Sequence, residues 1–428
     1  MIKISYLKDF RWLFCLSIAL ILFFRFSYNH IIDPGSIFLM DFNVYHFTAN
    51  LILQGKLDIY HLAYQNGFEF KYAPFCAILF TPLALFSLQT ASVMWEFLNF
   101  IFLISYFLIS EKIIQFYGFT HRSWYFLLAF IFIITPLWAN LGVGQSDIVQ
   151  IGLIFIALYL YMKEKRLLSA LLLSLAMSLK IPALIFLLFF VVKKDLKMMF
   201  QTLFIFLGLN FLACLFLNFH NPLQPFKDWQ EVLRTTSPNL QFIVPNQSLY
   251  TFLFRYFGTG DSFCFELLKL SKSAIFWLYG FISVVMVSVP LLLARFSKES
   301  RAKDLSMLGI LVLLMVLLSP VAWSPNYVIF IFPILFILSA LKGLWKFKAR
   351  TVVSISIFLL IFLDFFTHKK AWRLVGLLPY KGESYPDLVF MIYPMMGLLL
   401  YFLLLMVLTY GLRHPEDEHT RVEARRIL

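Results

Sequence analysis

The chain has 428 residues, of which 61% are hydrophobic and only 14% charged, with a formal net charge of +13. Ordinary soluble domains are about 45–50% apolar and about 25% charged, so a chain of this size in water has too little polar surface to cover its apolar mass. The positive charge does not point to nucleic acid, because the basic residues stand in short clusters between apolar blocks: Lys193, Lys194 and Lys197; Arg295, Lys298, Arg301 and Lys303; Lys346, Lys348 and Arg350. That is the positive-inside pattern of a multi-pass membrane protein, and no nucleic-acid partner is expected.

The chain opens with Lys3, Lys8 and Arg11, followed by an apolar stretch from Trp12 to Phe26 without a small-residue cleavage site. This predicts an uncleaved anchor. In chain order, the expected spans are 12–32, 91–110, 122–139, 148–162, 197–217, 274–294, 305–319, 327–341, 351–367 and 388–411. Each must be helical, because in hydrocarbon a helix satisfies its own backbone groups. The fold expected is therefore all-α: one polytopic transmembrane domain over 1–411, and a polar cytoplasmic tail over 412–428. The four cysteines, Cys15, Cys76, Cys214 and Cys264, form no paired motif, and a disulfide framework or metal site is not expected.

Two apolar blocks do not fit a simple crossing. Segment 72–88 contains Pro74 and Pro82, and segment 167–192 is interrupted at Lys180-Ile181-Pro182. The basic clusters at 163–166 and 193–197 belong on the same side, which requires 167–192 to enter and return as two short helices meeting near Lys180. If 72–88 also dips in and returns, every basic cluster falls inside, including Arg421, Arg425 and Arg426 in the tail. Both termini are then cytoplasmic. The loops 33–71, 218–273 and 368–387, with the turns at 140–147 and 320–326, then lie on the outer face of a cell membrane. Broken segments of this kind are tolerated where they are buried in protein or line a cavity, and here they point to a site.

The unusual polar residues fall in these outer segments. Asp41 begins a short amphipathic stretch with Val44, Phe47 and Leu51 at helical spacing, and Gly55 is placed to end it. Asp41 reads either as a helix N-cap or as a general base just above the bilayer. Gly142-Val143-Gly144-Gln145-Ser146-Asp147 reads as a tight turn with a cap. Lys180 is costly at membrane depth and is a candidate anion site, here for a phosphate. Asn246-Gln247-Ser248 precedes a helix with Arg255 and also fits a weak glycosylation sequon. Ser319-Pro320 and Trp323-Ser324-Pro325-Asn326-Tyr327 read as an interfacial segment. His46 and His61 match no motif and are expected to be plain surface residues. No nucleotide-binding loop or metal-ligand cluster is present.

Together these pieces resemble the family 87 glycosyltransferases over residues 40 to 335. The resemblance rests on Asp41 with Tyr45, Gly55 and Tyr60; on Phe70-Lys71-Tyr72-Ala73-Pro74 with Pro82; on Gly144-Gln145; on Lys180-Ile181-Pro182; on Asn246-Gln247-Ser248-Leu249; and on Ser319-Pro320 with Trp323. One departure stands out: where the family has histidines after the tryptophan, this chain has Pro325 and Asn326.

The resemblance implies a GT-C architecture and a polyprenyl-phosphate-linked sugar donor, often mannose. The acceptor would be a hydroxyl of a lipid or glycan. By the same resemblance Asp41 is the catalytic base, and direct attack on the anomeric carbon inverts it. The leaving lipid phosphate needs cations and no acid, and Lys180, Arg255 and Lys71 are the candidates. Tyr45, Tyr72, Gln145, Asn246, Gln247, Trp323 and Asn326 are the expected substrate contacts, with no cofactor or metal required. A transporter or flippase of lipid-linked sugars is the main alternative, since it shares broken helices and a midplane cation. A ligase of the acyltransferase or O-antigen type is the other, but its prominent outer histidine has no counterpart here.

Overall fold

The computed structural model of the chain describes residues 39–119, 123–241, 243, 245–259, 264–296, 301–340 and 391–413, with scattered residues between 13 and 28 and Leu359. Most of the expected span 12–32, nearly all of 351–367, the loop 368–387 and the tail from 414 onward lie outside the described residues. Among those described the fold is all-α. Five helices are long and apolar enough to cross a membrane: Leu88–Phe116, Tyr125–Val143, Leu196–Leu217, Lys272–Phe296 and Ile392–Thr409. They coincide with the expected spans 91–110, 122–139, 197–217, 274–294 and 388–411.

Three other expected spans are helical but shorter: Asp147–Met162 and Arg301–Leu317, with 16 and 17 residues, and a segment that opens as a 3-10 turn at Ser324–Phe330 before Ile331–Ala340. At 1.5 Å per residue, 16 residues reach about 24 Å, less than the roughly 30 Å of hydrocarbon. Turn residues set these limits. Gly144 precedes the first of them with φ of +70°, and Glu164 follows it with φ of +59°.

By contacts the chain divides into two compact units, 1–109 with 136–240 and 110–135 with 241–428. In the first, α1 (Met40–Leu53) packs on α2 (Ile59–Gln65) and α3 (Pro74–Ala84). The long helices α4 (Leu88–Phe116) and α5 (Ser123–Val143) are divided between the units at 109/110 and 135/136, and α6 (Asp147–Met162) and α7 (Arg166–Leu179) follow in the first. The unit continues through a 3-10 turn (Ile181–Phe186), α8 (Leu187–Val192), α9 (Leu196–Leu217) and α10 (Gln224–Gln241). Its core is aromatic: Phe42 stacks on Trp95 at 5.6 Å between ring centres, and Tyr45 on Phe80 at 4.5 Å.

The second unit holds α11 (Leu249–Phe257), α12 (Lys272–Phe296), α13 (Arg301–Leu317), α14 (Ile331–Ala340) and α15 (Ile392–Arg413). Helix α13 lies against α12, α14 and α15. Tyr327 stacks on Tyr393 at 5.2 Å.

The first awkward block is short and the second is broken. Helix α3 has 11 residues with Pro82 inside it, and reaches only about 16 Å. The block 167–192 breaks at Lys180, whose backbone is extended (φ −149°, ψ 124°). Its two feet meet: an Arg166 guanidinium N–H donates to Asp195 Oδ2 at 2.6 Å, and Tyr161 Oη donates to the same oxygen at 2.9 Å. Asp195 Oδ1 also accepts from Met198 N at 3.1 Å and so caps α9. The clusters 163–166 and 193–197 therefore share one end of the unit, with Lys180 at the hairpin tip. Asp195→Ala removes a cap and the clasp together, and is expected to lower stability by about 1–3 kcal/mol, read as a lower melting midpoint in detergent.

Candidate active site

Helix α1 does not use Asp41 as its cap. The N-cap is Leu39, in the left-handed region at φ 64°, and no side chain caps the helix. Leu39 N instead donates to Gly142 O at 2.9 Å, which ties the start of α1 to the last turn of α5. Asp41 is the second helical residue, and its carboxylate accepts from Gln145 Nε2. The far end of α1 closes as expected. Gly55 has φ of +71°, Gly55 N donates to Ile52 O at 3.0 Å, and Lys56 N donates to Leu51 O at 2.9 Å; this is the paired-bond ending that favours a left-handed glycine.

Gly144 makes the approach of Asp41 and Gln145 possible. A Cβ on it would lie 2.7 Å from Leu39 Cδ2 and 2.8 Å from Phe42 Cβ. Its carbonyl accepts from Trp95 Nε1 at 3.1 Å. The turn is thus pressed between α1 and α4, and Gln145 emerges from it facing Asp41.

Behind Gln145 stands Lys180. Its Nζ donates to Gln145 Oε1 at 2.5 Å and to Asp147 Oδ1 at 2.9 Å. Asn140 Nδ2 donates to Asp147 Oδ2 at 3.2 Å. The Lys180 carbonyl accepts from Gln150 Nε2 at 2.6 Å, so α6 grips the residue at both backbone and side chain. The result is a chain of alternating polarity: Asp147 carboxylate, Lys180 ammonium, Gln145 amide, Asp41 carboxylate. Lysine can only donate, and this orients the amide with its N–H₂ toward Asp41.

On the other side stand tyrosines. Tyr45 Oη donates to Tyr72 Oη at 2.7 Å, with Ser146 Oγ 3.4 Å away. Tyr60 Oη donates to the Tyr72 carbonyl at 2.9 Å. Burial, reinforced by the nearby Asp41 charge, pushes the Tyr45 and Tyr72 hydroxyls well above the ordinary tyrosine range, so both keep their protons. Lys71 pairs with Glu69 at 2.5 Å, and its carbonyl accepts from Trp229 Nε1 at 3.0 Å.

Asp41 itself remains partly exposed. Its carboxyl is pushed up to about 6, first by burial among its neighbours, then drawn down by Lys180, raised by Asp147, and drawn down by Lys71 and the Gln145 hydrogen bond. Such a carboxylate is ionised at neutral pH yet more basic than an ordinary one, as a general base requires.

In the second unit, Asn246-Gln247 and Ser319–Trp323 are stitched together. Asn246 Oδ1 accepts from Ser248 N at 2.9 Å and Ala322 N at 3.1 Å, and its Nδ2 donates to Pro320 O at 3.1 Å and Gln241 O at 3.3 Å. Gln247 N donates to Ala322 O at 2.5 Å, and Tyr327 Oη donates to Gln247 O at 2.5 Å. Asn246 is fully buried, which removes the glycosylation reading of its sequon. Asn326 Oδ1 accepts from Trp323 N at 2.6 Å and caps the 3-10 turn. Arg255 is buried within α11.

The structure thus gathers Asp41, Tyr45, Tyr72, Gln145 and Lys180 in the first unit, and Asn246, Gln247, Trp323 and Asn326 in the second. Asp147 and Asn140 were not singled out by sequence reasoning as site residues. The signal for Asp147 was present, two positions after Gln145 and across from the isolated Lys180, but a cap explained it equally well. His46 is not a surface residue: it is buried, with Nε2 3.1 Å from Phe86 O. His61 is exposed, and its Nδ1 lies 2.8 Å from Asp58 Oδ1. Asp58, His61 and Asp228 have ligand atoms within 4.8 Å of one another, beside a recess of about 230 Å³. The two contacts there are a surface pair and a bond from Gln224 Nε2 to Asp228 at 2.7 Å.

No curated protein and no solved structure matches the chain. The model of glycosyltransferase family 87 matches residues 70–320, a stretch that includes Tyr72, Gln145, Lys180, Asn246, Gln247 and Arg255, begins after Asp41 and Tyr45, and ends before Trp323 and Asn326. With more than half of its length matched and its apolar spanning helices, the chain belongs to glycosyltransferase family 87 and is a membrane glycosyltransferase.

Proposed function

We propose that the chain transfers a hexose, mannose in the first instance, from a polyprenyl-phosphate donor to a hydroxyl of a lipid or glycan acceptor on the outer face of the cell membrane. Asp41 takes the proton from the acceptor hydroxyl as that oxygen attacks the anomeric carbon, and the configuration inverts. The leaving lipid phosphate is met by Lys180, which spends two of its three N–H groups on Gln145 and Asp147 and offers the third. Lys71 is the supporting cation of the same unit. Tyr72, whose hydroxyl stays protonated, lines the substrate side with Gln145, and the fully buried Tyr45 supports it by donating to that hydroxyl. Trp323 and Asn326 are the substrate contacts proposed in the second unit, with the fully buried Asn246 and Gln247 shaping their loop.

The observation that carries this reading is the carboxylate of Asp41, a residue of intermediate exposure, raised in basicity by burial and held by the Gln145 amide. Purified protein mixed with polyprenyl-phosphate-mannose and an acceptor extract is expected to release free polyprenyl phosphate. Only the ionised base accepts a proton, so release falls as pH drops through about 6. Donor that is carried across vesicles without being consumed would establish a flippase instead. A rate that stays level between pH 7 and 5 would remove Asp41 as the base.

A further inference from the structure

We infer that Asp147 is a positioning residue for the reaction: it gives Lys180 its own counter-anion and so holds the ammonium one amide away from Asp41, across Gln145. This rests on the reading of Asp41 as the base. Lysine beside an ionised carboxylate in a protein interior forms a direct pair unless something closer holds it, and such a pair weakens the carboxylate as a base. Here Nζ is 2.9 Å from Asp147 Oδ1 and meets Gln145, not Asp41. Asp147 is buried and lies in the first turn of α6. Asn140, on α5, donates to its second oxygen, which keeps the first aimed at Lys180. Gln150, one turn along α6, holds the Lys180 backbone, so the side chain starts from a fixed point.

Two carboxylates thus share one ammonium, and the group closer to the acceptor keeps the surplus negative charge. The groups that bear on Asp41 are Lys180 from the end of α7, Asp147 from α6, Gln145 from the turn, Lys71 and Tyr72 from the segment before α3, and Tyr45 from α1 itself.

The test reads protonation directly, without turnover. The full chain in lipid nanodiscs is titrated by infrared difference spectroscopy, and the Asp41 carboxyl band is assigned by its loss in Asp41→Asn. Asp147→Asn is expected to lower the Asp41 midpoint by about one pH unit, as a change of charge at this range does. Lys180→Met is expected to raise it. Because that variant strands a buried carboxylate, Asp147→Asn/Lys180→Met serves as its folded counterpart, with a midpoint near that of wild type. A merely structural Asp147 would alter yield or melting and leave the midpoint in place, and a midpoint unchanged or raised in Asp147→Asn overturns the inference. Midpoints that move as stated while no donor is consumed would sink the transferase reading and leave the positioning role standing.

Discussion

Asp41→Asn is expected to insert and melt like the wild type but to lose transfer by roughly 10²–10⁴-fold, the usual contribution of a positioned general base. The substitution is well suited to this structure. Asparagine keeps the shape of the side chain and one oxygen to accept from Gln145 Nε2. It does not disturb the start of α1, because the N-cap is Leu39 and the helix is anchored by the bond from Leu39 N to Gly142 O. The negative charge goes, and with it the ability to take up a proton. The check is the initial rate of polyprenyl phosphate release beside a thermal melt of the same preparation. Transfer within a few-fold of wild type at an unchanged melt would exclude Asp41 as the proton acceptor.

Gly144→Ala has the larger structural effect. A non-glycine residue at φ of +70° costs about 1–2 kcal/mol by itself. The new Cβ would also stand 2.7–2.8 Å from Leu39 and Phe42 side-chain atoms and 3.3 Å from the Phe42 backbone nitrogen. That nitrogen belongs to α1 and cannot swing aside as a side-chain tip can. Overpacking of this kind costs a further 1–3 kcal/mol, so a total loss of about 2–5 kcal/mol is expected. The relief available is a shift of α1 away from the turn, which draws Asp41 off Gln145. Stability and transfer should therefore fall together, measured by the melt and by donor consumption. An unchanged melt in Gly144→Ala would show that the turn does not press on α1 as described.

Much of the fold was legible because lipid leaves few choices. An apolar run long enough to cross must be helical, so five spans emerged near their true positions. The break at Lys180-Ile181-Pro182 was legible for the same reason, since a lysine and a proline together make a poor continuation of a buried helix. The pattern was less exact at helix ends: span 148–162 matches Asp147–Met162, while span 305–319 is offset from Arg301–Leu317, whose polar first turn hydropathy does not register.

The site was legible in part. Asp41, Gln145 and Lys180 attracted attention one at a time, as a carboxylate in a loop, an amide in a turn and a cation in an apolar block. Their union depends on α1, the 142–146 turn and the tip of α7 converging, and sequence spacing does not encode that convergence. Asp147 escaped for a different reason. An acidic residue at the start of a helix is favoured by the helix dipole whatever else it does, so its ion pair with Lys180 left no separate mark. His46 escaped because the chain's apolar background conceals which polar residues face inward.

The clasp between Lys180 and Asp147 also bears on how the protein is made. Asp147 precedes Lys180 by 33 positions, and at ribosomal rates of about 5–20 residues per second it is synthesised roughly 2–7 seconds earlier. The carboxylate and its Asn140 partner are therefore in the nascent chain before the lysine leaves the ribosome. A lysine entering the membrane alone meets a penalty of about 2.5–3.5 kcal/mol, and here its anion is already there to receive it. The order of residues along the gene thus doubles as an order of assembly, in which the acceptor of the charge is installed ahead of the charge.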